Sequence, residues 1–385
     1  MTQMSGRSPD EAHRVATPLE LLYDLVFVVA VAQAAAGLHH AVAEQHTGDG
    51  VTGFVMAFFA IWWAWMNFTW FASAYDTDDV PYRLAVFVQM TGALVIAAGV
   101  PRAMDSKDFG VVTLGYVIMR LAAVPQWLRA AAGDPEHRTA CLRYAAGISV
   151  VQLGWVVRLA LPETAGLWAF PVLVAAELAV PYFAEHRQAT TWHPHHIAER
   201  YGLFTIIVLG ESILASTVAV QQALDDDVHI EDLATTAIGG LFIVFSMWWL
   251  YFSKSSHDLL TSLRASLRWG YGHYAIFASA AAVGAGIALA VDQASGHSHA
   301  ADRTAAAALT IPVAVFVLTV WLLHLRPHHA GGLLHAALFP AAAALILVMT
   351  FTSQPVLLTG LILAAAVVAG GLTARGRTPV QDATG

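Results

Sequence analysis

A single cysteine, Cys141, stands in 385 residues, which excludes a disulfide framework, a zinc knuckle and an iron–sulfur cluster. Charge is scarce as well. Asp, Glu, Lys and Arg make up 12% of the chain, half of the roughly 25% that a water-facing globular surface carries. Lysine is almost missing: Lys107 and Lys254 stand against 17 arginines, which reads as a coding bias rather than chemistry. No Gly-rich phosphate loop ending in Lys is present. What fills the chain instead is apolar: 57% hydrophobic residues, with 12 Trp, 18 Phe and 10 Tyr, and a mean hydropathy of +0.60. These values exclude a soluble enzyme, a disordered chain and a nucleic-acid binder. They imply an integral membrane protein whose first partner is the lipid bilayer. Residues 1–16 are polar, with no apolar stretch ahead of the first long hydrophobic run, so no cleavable signal is expected.

A membrane-crossing helix needs about 20 mostly apolar residues. Twelve such runs are expected: 18–42, 51–73, 82–104, 110–131, 139–160, 166–183, 197–222, 232–253, 269–291, 304–325, 331–350 and 355–374. The expected fold is therefore an all-α, multi-pass helix bundle. Thr17-Pro18-Leu19-Glu20 is a capping box with Pro at the first helical position, so a helix should start there. Of the 19 Lys and Arg, Arg102, Lys107 and Arg303 fall in loops on one side, Arg120 and Arg158 fall within spans, and the other fourteen fall on the opposite side. The positive-inside rule then puts both termini in the cytoplasm and the protein in the cell membrane. The outer side carries the acidic run Asp225-Asp226-Asp227 with Glu231 and Asp232.

Spans 1 and 7 align at an offset of 178, where Tyr23 meets Tyr201, Leu25 meets Leu203 and Gln33 meets Glu211. Spans 2 and 8 align at 186, where Phe59, Trp62 and Trp63 meet Phe245, Trp248 and Trp249. Order and spacing together point to a 6+6 duplication. Its expected parts are a tail (1–17), a first repeat (18–183), a linker (184–196), a second repeat (197–374) and a tail (375–385). Six spans per half is an even number, so the halves run parallel, as in many secondary transporters.

Two motifs are similar to a known family. Leu19-Glu-Leu-Leu-Tyr-Asp-Leu-Val-Phe-Val, continuing to Gln33, resembles the first-helix signature of the bacterial low-temperature-requirement A (LtrA) family. Glu199-Arg-Tyr-Gly-Leu-Phe-Thr-Ile-Ile-Val-Leu-Gly-Glu-Ser212 resembles its central signature more closely. The Trp-rich second span ending in Asn67 and the loop Asp76–Arg83 fit as well. The resemblance implies a polytopic membrane protein associated by name with growth in the cold. It implies no particular reaction or substrate.

Ionisable groups inside a bilayer cost about 2.5–3.5 kcal/mol each at a helix centre, so those present are candidates for function. They are Asp24, Arg120, Arg158, Glu177, Glu211 and His273, joined by the neutral Gln33, Asn67 and Gln89. Glu20 and Asp24 are spaced i, i+4 and share a helix face. Glu20 is expected to cap its helix. Asp24 is either a packing clamp bonded to Asn67, which should sit at the same depth, or an ion or proton site. Glu211 and Arg120 both fall about 15 Å into the bilayer at 1.5 Å per residue, and are expected to pair. Glu199 and Arg200 read as helix-end residues, Glu199 in a first turn where it complements the dipole. Arg158 reads as a snorkelling anchor, and the partner of Glu177 is not readable. His273 reads as a hydrogen-bonded bundle histidine rather than a ligand. His193, His195 and His196 lack a matching carboxylate or Cys cluster, so no metal site is expected there. Gly92, Gly99, Gly210, Gly284 and Gly286 are expected at close helix approaches.

No cofactor and no catalytic residue are expected. A secondary transporter or permease, moving a small solute or ion with proton or ion coupling, is the first expectation. A membrane-embedded enzyme or lipid-handling protein of the envelope is the alternative.

Overall fold

The computed structural model describes residues 3–8, 11, 14–225, 230–328 and 333–375. Asp226 and Asp227 of the acidic loop and the tail from residue 376 fall outside them. The described residues form twelve α-helices and no strand: α1 (Pro18–Ala43), α2 (Thr47–Tyr75), α3 (Val80–Asp105), α4 (Gly110–Gly133), α5 (Arg138–Arg158), α6 (Glu163–Glu185), α7 (Pro194–Asp225), α8 (Ile230–Phe252), α9 (Leu263–Ala294), α10 (Asp302–Val320), α11 (Leu333–Val348) and α12 (Pro355–Arg375). Eleven are long and apolar enough to cross a membrane. The exception is α11, whose 16 residues reach only about 24 Å at 1.5 Å per residue.

Helix starts follow local chemistry. At α1 the Thr17 amide donates to Glu20 Oε2 at 2.7 Å and the Glu20 amide donates to Thr17 Oγ1 at 3.3 Å, the expected reciprocal box. At α3, Asp79 accepts from the Tyr82 amide at 3.0 Å, with Pro81 in the first turn. Helix α7 starts one turn earlier than hydropathy places it. His193 stands at its N-cap: the His196 amide donates to His193 Nδ1 at 3.3 Å, and Pro194 follows. His193 Nε2 lies 2.8 Å from the Glu11 carbonyl, so the ring carries its proton on Nε2 and accepts on Nδ1.

The chain forms two compact units. The first comprises Met1–Leu38, Thr47–Val208 and Ser256–Tyr274. Helix α2 lies deep in its core, with Trp62, Trp63 and Trp65 all under 2% exposed. Trp65 stacks on Phe204 at 4.4 Å, Tyr23 on Phe68 at 3.9 Å, and Trp127 on Tyr144 at 4.1 Å. Such ring pairs supply packing where lipid gives helices no hydrophobic reason to associate. Around them the outward faces are apolar: Leu121, Val150, Trp168 and Val172 are strongly exposed. Helices α3 and α4 meet at Gly92 and Gly115. A Cβ on either would come within 2.7 Å of the other's carbonyl oxygen, so only glycine permits this approach.

The second unit comprises His39–His46, Leu209–Ser255 and Ala275–Gly385. Here α8 and α12 touch at Gly239, where a Cβ would fall 2.7 Å from the Leu357 backbone. Gly284 and Gly286 of this unit, and Gly99 of the first, also face close neighbours. Gly210 does not: a Cβ there meets nothing within 4 Å, so its expected packing role is corrected. His39 Nε2 lies 2.7 Å from Asp292 Oδ2.

Candidate functional site

The centre of the first unit is a charge cluster between α1 and α7. Arg200, Asp24 and His196 are 0% exposed and Glu20 is 1% exposed. The Arg200 guanidinium reaches both acidic side chains of α1. Its Nη2 and Nε donate to Asp24, with Nε to Oδ2 at 3.2 Å, and its Nη1 lies 3.0 Å from Glu20 Oε1. The i, i+4 spacing puts both carboxylates under one guanidinium, whose planar fork suits them better than an ammonium would. Trp65 Nε1 donates to Asp24 Oδ1 at 2.7 Å. His196 Nε2 lies 3.2 Å from Glu20 Oε1, and Phe68 lies 5.8 Å under the guanidinium. Arg200 is thus no helix-end residue. Because α7 begins at Pro194, residue 200 already lies inside the bundle, and Glu199 stands in the second turn rather than the first. The helix-end expectation for both is corrected.

Asp24 does not meet Asn67. Trp65 and Asn67 are two positions apart on α2 and face different directions, so Trp65 serves Asp24 while Asn67 serves a second cluster. There Arg120 Nη1 donates to Asn67 Oδ1 at 3.1 Å, and Nη2 lies 3.2 Å from both oxygens of Glu177. Trp63 Nε1 at 2.8 Å and Trp155 Nε1 at 3.2 Å complete the shell of Glu177. The expected Arg120–Glu211 pair is corrected: the carboxylate that meets Arg120 is Glu177. Equal depth does not fix the direction a side chain faces, and α6 turns Glu177 inward. Glu211 is half-buried in the second unit and makes no ion pair with a described residue. Gln33 is exposed on α1 and joins neither cluster.

His273 is buried, its Nδ1 is 2.8 Å from the Trp269 carbonyl, and it packs on Tyr201 and Trp269. Arg158 turns inward rather than snorkelling. Its Nε donates to the Gly166 carbonyl at 2.8 Å, and the guanidinium lies 5.0 Å from the Phe109 ring and 5.3 Å from Phe170. Two aromatic faces hold it by cation–π attraction.

Sequence reading misses two buried carboxylates, Asp134 and Glu185. Glu185, at the end of α6, is 4% exposed and accepts from Tyr144 at 2.9 Å, Thr190 at 2.7 Å and Trp192 at 3.3 Å. Its position at the end of a hydrophobic run disguised it as a solvated residue.

The loop between α2 and α3 is held by arginines. Arg83 clasps Asp78 through two contacts of 2.8 Å, and Arg129 Nη1 donates to Asp79 at 2.9 Å. Arg14 donates to the Ala72 and Ser73 carbonyls at the end of α2 and lies 3.9 Å from Asp76. Burial pushes the Asp76 carboxyl up to about 6, helped by the nearby Glu20 charge and opposed by Arg14 and Arg7.

The second unit holds a different feature. A cavity leaves about 400 Å³ for the centre of a water-sized sphere. Thr235, Thr236, Gln293, Asp302, Thr352, Ser353 and Gln354 supply its polar lining.

A helix bundle that buries its charges against each other and turns leucine, valine and tryptophan outward is a multi-pass helical membrane protein. The family model described as bacterial low temperature requirement A protein (LtrA) matches residues 15–370, and the chain belongs to that family. It is also similar to an uncharacterized protein of Rhizobium meliloti (strain 1021), 27% identical over 275 residues covering 67% of this chain. The match spans 65% of that relative's length.

Replacing Arg200 by Gln strands two buried carboxylates and should lower stability by about 3–5 kcal/mol. Thermal unfolding in detergent checks this, and Asp24→Asn should cost markedly less in the Arg200→Gln background than in the wild type. Equal costs in both backgrounds would mean that the two residues are not coupled. Asp76 gives a pH test. With its folded value raised from 3.8 to about 6, the native state holds the proton more tightly. Its contribution to stability is therefore full below pH 3.8 and is lost as pH rises through about 6. Asp76→Asn should flatten the melting temperature across that window, and an unchanged slope would contradict the assignment.

Proposed function

We propose that the chain is a secondary transporter or permease of the cell membrane, and that Asp24 carries the coupling proton or cation. The charge inventory of the buried cluster carries this reading. Two carboxylates share one guanidinium, His196 is the titratable group in direct contact with them, and the nearby charges of Arg14 and Asp76 offset each other. With a neutral imidazole the cluster holds one surplus negative charge, which a proton or a monovalent cation would cancel. Unpaired charge is costly in low dielectric, so such a site binds its cation and couples that binding to Arg200. Glu20 Oε1 and Arg200 Nη1 are close without being aligned for a hydrogen bond, and the buried Tyr82 hydroxyl has no partner among the described residues. These atoms leave hydrogen-bonding capacity for the exchange.

The cavity of the second unit has the size and the mixed hydroxyl, amide and carboxylate lining of a small-solute site. A membrane-embedded enzyme acting on a lipid draws less support, because the Asp24–Arg200 and Arg120–Glu177 clusters of the first unit are buried. We further read the chain as a 6+6 parallel duplication with both termini cytoplasmic. The cluster then joins the first helices of the two repeats, α1 and α7.

Reporter fusions test the orientation: an active cytoplasmic reporter is expected at the C-terminus and an inactive one in the loop 223–231. The reverse pattern would overturn both orientation and repeat. For transport, the chain is reconstituted in liposomes with a trapped pH dye and challenged with gradients of sodium, potassium, sugars and amino acids. At least one gradient should move protons in the wild type and none in Asp24→Asn at equal protein content. An Asp24→Asn protein as active as the wild type would remove Asp24 from the site.

A further inference from the structure

Helix α6 presents an inverted pattern. Its buried positions are Gly166, Phe170, Glu177, Pro181, Ala184 and Glu185, two of them carboxylates, while Trp168, Val172 and Phe183 face outward. Glu177 and Glu185 are eight residues apart, about 12 Å along the axis at 1.5 Å per residue. Neither belongs to the Asp24 cluster.

Three small cavities accompany these two acids, all within the first unit. Each leaves about 20 Å³ for the centre of a water molecule, and about 10–15 Å³ is enough for one water. The first is bounded by Arg158, Phe109 and Phe170 at one end of α6 and reaches Trp155, Tyr116 and Glu177. The second surrounds Arg120 and is lined by Asn67, Gln89, Tyr116, Ala123 and Gln126. The third passes from Trp63 and Asn67 to Glu185 and Thr190 at the other end of α6. Neighbouring cavities share walls: Tyr116 borders the first two, Asn67 and Trp127 the second and third, and Trp63 the first and third.

Their lining asks for water. Arg120 Nε and Gln126 Nε2 are buried donors without a partner among the described residues, on side chains 6% and 4% exposed. Gln126 already accepts from Gln89 through its oxygen at 2.7 Å, so its amide nitrogen is the end left over. Buried polar groups are rarely orphaned, and a water with two or more partners is the usual remedy.

We infer that the first unit contains a hydrated proton route from Arg158 to Glu185, gated by the Arg120–Glu177 pair. It extends the transport reading, and it stands on residues other than Asp24. A hydronium in the first cavity gives its proton to Glu177. One O–H bond breaks on the hydronium, leaving water, and one forms on the carboxylate, leaving a carboxylic acid. Neutral Glu177 no longer holds Arg120, which keeps Asn67 as its partner. The new O–H bond on Glu177 then breaks, restoring the carboxylate and its hold on Arg120. The proton passes as hydronium through water on the Asn67 side to the Glu185 carboxylate, which releases it to bulk water at the end of α6. The polar groups facing Glu177 are Arg120 on α4, Trp63 on α2 and Trp155 on α5, while Tyr271 on α9 donates to the adjacent Leu178 carbonyl at 2.8 Å. Those facing Glu185 are Tyr144, Thr190 and Trp192, with His137 and Cys141 as electrostatic neighbours. Arg158, clamped between two phenylalanines, stands at the other end.

The test is voltage-driven proton flux without any solute. The full chain is reconstituted in liposomes holding pyranine, and a potassium gradient with valinomycin sets the potential. Wild-type vesicles should change lumenal pH faster than empty ones. Glu177→Gln should bring the rate down to that of empty vesicles. Ala123→Phe should do the same by filling the cavity beside Arg120 without altering any charge, while Leu121→Phe on the lipid-facing side should leave the rate unchanged. Melting temperatures in detergent show which variants fold, and Ala123→Phe decides the matter if Glu177→Gln does not. A wild-type rate equal to that of empty vesicles, or undiminished flux in folded Glu177→Gln or Ala123→Phe, overturns the route. Solute exchange in the same vesicles separates the two readings. Flux of protons without any solute exchange would remove the transporter and leave the route; solute exchange without proton flux would do the opposite.

Discussion

A guanidinium buried in hydrocarbon must be neutralised, and Arg200 is buried completely. Its neutralisation fixes much of the first unit. Glu20 and Asp24 must lie one turn apart on α1, α7 must start early enough to bring residue 200 inside, and α2 must offer Trp65 to the outer edge of Asp24. The same Glu20 closes the capping box of α1, so the start of that helix and the charge cluster are one construction. His193 and Pro194 then read as the device that sets the start of α7, and His196 as the contact it delivers to Glu20.

Helix α2 works as a distributor. Trp65 serves the α1–α7 cluster while Trp63 and Asn67 serve Arg120 and Glu177, on faces set by the helical period. Two buried charge clusters are thus held by one aromatic helix whose indole N–H groups do the hydrogen bonding. In water such pairs would contribute little. In a bilayer the alternative for each partner is an unpaired charge in hydrocarbon, so pairing and helix docking become the same event.

The helices themselves were legible in the sequence. Long apolar runs bounded by Pro, Gly and charged loops place twelve helices close to where they occur, because the bilayer imposes their length. Partners were not legible. Counting residues gives only an expected depth, and on that ground alone Asp24 is matched to Asn67 and Arg120 to Glu211. Azimuth does not follow from counting, and Trp65 and Glu177 took those places. Arg200 was hidden by the polar His193–His196 stretch, which hydropathy excludes from the helix although Pro194 opens it. Glu185 was hidden by its place at a helix end. Arg158 looked like an anchor because its aromatic neighbours, Phe109 at the N-cap of α4 and Phe170 on α6, are invisible in its own span.

Under the transport proposal, the surplus charge of the Glu20–Arg200–Asp24 cluster is what would make it a coupling site rather than a clamp. Infrared difference spectroscopy of the reconstituted protein, recorded as the pH is lowered, observes it directly. The wild type should gain the carbonyl stretch of one buried carboxylic acid, and that band should be missing from Asp24→Asn. Wild-type and Asp24→Asn spectra that remain identical throughout the titration would contradict a proton site at Asp24 and leave the cluster a structural pair.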